Sequence, residues 1–96
     1  MGRSRRPRPD KLAEKLLSIR MRLGLTQLQL IEKLNLKDTV LYPTNISAYE
    51  RGLREPSLYV VLRYAKLYGC TVEELVDDQL KLSTKAPVKS NARNQP

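Results

Sequence analysis

An all-α domain of five short helices, flanked by two basic tails, is the fold that these 96 residues predict. Three observations predict it. Apolar residues recur at helical intervals in several short windows. Gly, Pro and T-x-x-Q or T-x-x-E sequences punctuate those windows where helices start and stop. The chain also lacks Trp, Phe and His, so bulk must come from Leu, Ile, Val and five Tyr, which favours a compact helical core over a sandwich. An apolar fraction of 41% supports one small core and one domain.

Residues 1–9, with Pro7 and Pro9, read as a disordered arm. The domain then spans residues 10–79. From Asp10, a plausible N-cap, Leu12, Leu16, Ile19 and Leu23 recur on one face with Leu17 beside them, and Gly24 ends this first helix. Thr26 to Gln29 forms a capping box for the second, whose inward positions are Leu30, Ile31 and Leu34. Residues 35–42 have no helical period and read as a loop. Pro43 suits the first turn of a third helix, where its missing N–H costs nothing. Ile46 and Tyr49 point inward from it, and Gly52 supplies a stop. Pro56-Ser57 opens a fourth helix with Leu58, Val61, Leu62, Ala65 and Tyr68 as its expected inner face, ending at Gly69. Thr71 to Glu74 caps a fifth helix carrying Leu75 and Val76. Residues 80–96 read as a second disordered basic tail.

The formal charge of +8 sits outside the domain. Arg3, Arg5, Arg6 and Arg8 give residues 1–9 a charge of +4, and Lys81, Lys85, Lys89 and Arg93 give residues 79–96 another +4. The 10 basic and 10 acidic residues between Asp10 and Asp78 cancel. Basic arms of this kind meet nucleic acid or, less often, an anionic membrane; a merely solubilising tail is the plainer alternative. Cys70 stands alone, which excludes an internal disulfide and fits a reducing compartment. Without His, neither a His/Cys metal site nor a nucleophile–His pair is expected. No long apolar run or secretory leader is evident. The expectation is a soluble, cytoplasmic protein that is not an enzyme, with no cofactor, no membrane partner and no small-molecule effector.

Together, "LGLTQLQLIEKL", "YERG", "REPSL" and "YGCTVEEL" resemble the phage-repressor, Cro-type (Xre-like) helix-turn-helix family across about Lys11 to Asp78. The resemblance implies a five-helix, lambda-repressor-like domain whose second and third helices form a DNA-reading pair. It further implies that Gln27 lies over the DNA backbone, that Arg51 and Arg54 grip it after the third helix, and that Arg20 and Glu50 form a structural ion pair. The residues agree with this assignment. A recognition helix needs apolar anchors inward and short side chains outward, because long ones would hold its backbone off the base edges. Thr44, Asn45, Ser47 and Ala48 meet that need. Asn can pair with adenine N6 and N7, and Ala or a Thr methyl can touch thymine.

Departures from the family pattern cluster in one place. The connection between the second and third helices is roughly five residues longer than the tight turn of the usual motif. Ile31 stands where the family has a small residue, usually Ala, and Asn35 stands for its turn glycine. A longer connection lets the two helices sit further apart and makes room for the isoleucine. Lys37 and Tyr42 are candidate DNA contacts from this loop; an idle insertion is the other reading. Cys70 takes a position that the family usually fills with a small aliphatic residue.

The fourth helix carries a further apolar line, Val60, Tyr64 and Leu67, with Tyr59 nearby. A helix apolar around so much of its circumference is either sandwiched inside or bound to a partner protein, and Leu80 and Leu82 could extend such a surface. Two functions follow. The first is a sequence-specific transcriptional regulator of a bacterium or phage, in outline a repressor, bound to double-stranded DNA as a homodimer. The second is an antitoxin-like module that binds a partner protein and its own operator.

Overall fold

The computed structural model describes residues 9–82, which form the five helices α1 (Leu12–Leu23), α2 (Gln27–Leu34), α3 (Pro43–Glu50), α4 (Leu58–Tyr68) and α5 (Val72–Val76). Arg3, Arg5, Arg6 and Arg8 lie outside the described residues, as does all of the C-terminal tail after Leu82. Local chemistry sets the starts of α2, α4 and α5 and the stops of α1 and α4 as the sequence predicts. Thr26 Oγ1 accepts the Gln29 N–H at 3.1 Å while Gln29 Oε1 accepts the Thr26 N–H at 2.9 Å, closing the capping box. Ser57 and Thr71 cap α4 and α5 through their hydroxyls. Gly24 and Gly69 end α1 and α4 in the left-handed conformation, which costs a residue without Cβ nothing.

The core gathers Leu12, Leu16 and Ile19 of α1, Leu30 and Leu34 of α2, Ile46 and Tyr49 of α3, five residues of α4 and Leu75 of α5. α1 packs on α3, α4 and α5, and α2 packs on α3 and α4. Ile31 is half-buried against this core, as is Cys70.

α4 corrects the sequence reading. Its buried residues are Val60, Val61, Tyr64, Ala65 and Tyr68, whereas Leu58 is 73% exposed and Leu62 also faces solvent. The helix is rotated from the expected inner face by about one position, because α1, α2 and α5 all close on it. Val60 and Tyr64 therefore belong to the core and not to a protein interface, and Leu67 packs partly against the same core. Tyr59, half-buried, turns its hydroxyl to the loop after α2, where it accepts the Lys37 N–H at 2.9 Å.

Two further corrections lie where the ends of the domain meet. Asp10 does not cap α1. Lys11 holds that position without a side-chain bond, and the cap comes from Asp78, whose carboxylate oxygens accept the Asp10 and Lys11 N–H groups at 2.8 and 3.1 Å. Those hydrogen bonds hold the Asp78 carboxyl below its usual range. In return, Lys15 of α1 donates to the carbonyls of Glu74 (2.6 Å), Asp77 (3.1 Å) and Leu80 (2.8 Å). The segment after α5 is thereby fastened along α1 and buries Leu82. The packed domain runs at least to Leu82, beyond the expected boundary at residue 79, and Leu82 fills the core and does not extend a surface.

Candidate nucleic-acid interface

The site is built from the bottom of α3 upward. Ile46 and Tyr49, three residues apart, put two apolar side chains into the core from one face. Arg20 then fixes the far end of the helix. Its guanidinium meets the Glu50 carboxylate through two bonds, Nε to Oε2 at 2.6 Å and Nη2 to Oε1 at 3.0 Å, and its Nη1 donates to the Leu25 carbonyl at 3.0 Å. The two side chains are 16% and 6% exposed. Planar, two-pronged pairing of this kind holds orientation as well as charge. The Glu50 hydrogen bond raises the pKa of Arg20 above its ordinary value. Beneath the pair lies the phenol of Tyr64, buried and without a hydrogen-bond partner among the described residues, its pKa pushed up by burial and then by Glu50 and Tyr49.

Gln27, the first residue of α2, is half-buried, and its Nε2 lies 3.4 Å from Glu50 Oε1. The expected backbone-contact residue of α2 and the end of α3 therefore share one carboxylate. The α2 N-terminus, whose Thr26 and Gln29 N–H groups are closed in the capping box, sits beside it, and its dipole favours an anion.

On the outer face of α3, Thr44 is exposed while Asn45, Ser47 and Ala48 are half-buried. Asn45 is already engaged within the fold, since its Oδ1 accepts the Tyr42 N–H at 2.8 Å and so caps the start of α3. The amide group remains free to donate, and the oxygen keeps a second lone pair, so two-pronged pairing with adenine would have that oxygen accept from Tyr42 and the base together. Arg51 and Arg54 follow α3 on the surface, both exposed. They straddle Gly52, which adopts φ +74° at the turn.

Residues 35–42 form an ordered loop. Asn35 takes φ 53° and closes α2 in the left-handed conformation that its glycine-like position requires. Leu36 and Leu41 pack against the core. Lys37 is exposed, and Tyr42, the N-cap of α3, is 63% exposed. The structure thus brings Gln27, Tyr42, Thr44, Asn45, Ser47 and Ala48 together on or beside the α2–α3 pair.

Sequence reasoning missed the residues that hold this arrangement from behind. Arg63 of α4 donates its Nε to the Leu34 carbonyl at 2.9 Å and so ties off the end of α2, a second bond from α4 beside that of Tyr59. Both partners are more than twenty positions distant in sequence, and no local spacing signals such a contact.

Residues 16–75, more than half of the chain, match the family model described as helix-turn-helix. Among solved structures, the chain is similar to the P22 c2 repressor protein, crystallised in complex with synthetic operator 9T in the presence of Tl+. The TM-score is 0.58 and the identity 22%, over 70% of this chain and 94% of that one. At that identity the likeness is one of fold. No curated protein matches. The matched span, the all-helical fold and the ordered sequence motifs agree: the chain belongs to the helix-turn-helix family, of the phage-repressor and Cro type.

Proposed function

We propose that the protein is a sequence-specific DNA-binding transcriptional regulator, a repressor in outline, that reads the major groove of double-stranded DNA with α3. The observation that carries this reading is the outer face of α3. Its residues are short or hydrogen-bonding, and the helix behind them is fixed by two buried anchors and a two-pronged ion pair. A rigid helix with a low outer face can approach base edges closely. In this reading Thr44, Asn45, Ser47 and Ala48 meet the bases. Gln27, Arg51 and Arg54 meet phosphates, and Arg3, Arg5, Arg6 and Arg8 add backbone or minor-groove contacts. The P22 c2 repressor, bound to an operator in its crystal, supports the assignment through its shared fold.

The protein binds as a homodimer, with two recognition helices about 34–36 Å apart on a near-palindrome. The antitoxin-like alternative loses one of the two features that favoured it, since Val60 and Tyr64 are core residues; the other, the C-terminal tail, lies outside the described residues after Leu82. Nuclease footprinting on the DNA upstream of the protein's own reading frame tests the function. The expected result is one protected near-palindrome at protein concentrations that leave random duplex open. Uniform coverage of all DNA at one concentration would refute sequence-specific reading.

A further inference from the structure

The lengthened loop is tethered at both ends. Its start is held by the Arg63 bond to Leu34 and the Tyr59 bond to Lys37, and its end by the Asn45 bond to Tyr42. Leu36 and Leu41, near its two ends, pack partly against the core, and Asp38 turns the chain at φ 57°. Residues 39–42 then run without helix into the N-cap Tyr42, whose backbone is extended. Side chains of an extended segment alternate. Thr39 and Leu41 are half-buried, while Val40 is 73% exposed and Tyr42 63%. A single exposed apolar residue is ordinary on a protein surface. This one is β-branched and stiff, sits on an anchored segment, and stands two residues before the N-cap of α3, the end of a recognition helix that faces base edges.

We propose that Val40 is a specificity-determining residue that packs against the 5-methyl group of a thymine in the major groove, ahead of the bases met by α3. The proposal rests on the reading that α3 enters that groove. Thymine alone among the bases offers a methyl there, and cytosine offers a polar amine at the neighbouring position. The branched methyls of Val40 fit the first and leave the second unsatisfied. The four residues from Val40 to Thr44 span at most about 14 Å, which is roughly four base-pair steps. The methyl therefore lies within that distance of the first α3 contact. Exposed Lys37, on the same loop, can meet a flanking phosphate.

Deoxyuridine scanning of the footprinted site, using the full chain, tests this. Each thymine is replaced singly by deoxyuridine, which removes the methyl and nothing else, and Kd is measured for wild type, Val40→Ala and Val40→Thr. Wild type should lose about fourfold per half-site at one thymine outside the α3 contacts, the effect of one methyl removed from apolar contact. In Val40→Ala that thymine should become indifferent to the exchange while thymines under α3 keep their effects, with Val40→Thr in between. Because Val40 is exposed, thermal melting of the variants should match wild type. A defined site with methyl effects identical in wild type and Val40→Ala would overturn the proposal and leave groove reading intact. Absence of any preferred site would instead overturn both.

Discussion

Replacing Lys15 by Met tests the largest feature that local sequence did not signal. The Lys15 side chain is 5% exposed, and its ammonium donates to the Glu74, Asp77 and Leu80 carbonyls at 2.6, 3.1 and 2.8 Å. Hydrogen bonds to a charged group contribute about 1.5–3 kcal/mol each. Burying the ammonium costs several kcal/mol in the opposite direction. Met keeps the apolar stem, so packing loss is small. Leu80 is exposed, so its abandoned carbonyl can rehydrate, while Glu74 and Asp77 are half-buried and rehydrate less well. The net cost should be about 2–3 kcal/mol. For a domain of this size that lowers the melting midpoint by roughly 10–20 °C. Circular dichroism melting gives the midpoint, and native-state hydrogen exchange gives its location. The Asp77 and Leu80 amides, bonded to Glu73 and Asp77 carbonyls at 2.9 and 3.0 Å, should exchange faster out of proportion to the rest of the domain. A midpoint within about 2 °C of wild type, with those amides unchanged, would show that the ammonium does not hold the segment.

Four further outcomes are expected. Glu50→Ala should strand the Arg20 charge and destabilise the domain by about 3 kcal/mol, whereas Arg20→Met with Glu50→Leu should cost less than the summed single changes; additive effects in the denaturant-based cycle would rule out coupling. Asn45→Ala should cost about 1 kcal/mol of stability through the lost cap and, separately, about 1–3 kcal/mol of binding on the preferred site. Equal weakening on specific and random duplexes would leave Asn45 with capping alone. Asp78 has a folded pKa below its ordinary 3.8, so its stabilising effect is present above that pH and lost as pH falls through the folded value. Acid titration of stability should therefore be shallower in Asp78→Asn, and parallel curves would refute the cap. Deleting residues 1–9 should flatten the slope of log K against log salt by roughly 2–4 per protomer; an unchanged slope would exclude phosphate contacts by the arm.

Whatever depended on neighbours a turn apart could be read from the sequence. The helix starts at Thr26, Pro43, Ser57 and Thr71 and the stops at Gly24 and Gly69 follow from side chains and backbone freedom within four residues. The inward Ile46 and Tyr49 follow from helical period, and the Arg20–Glu50 pair from the family resemblance. The rotation of α4 could not be read, because a helix apolar on most sides has no periodic signal to say which face is enclosed. Only the simultaneous approach of α1, α2 and α5 puts Val60 and Tyr64 inside and leaves Leu58 outside. The same holds for Lys15 and Asp78, whose partners lie some sixty positions away. Charge and composition describe Lys15 as a solvated surface lysine. It becomes a buried clamp because packing α5 against α1 brings three carbonyls to one point, and that convergence exists only in three dimensions.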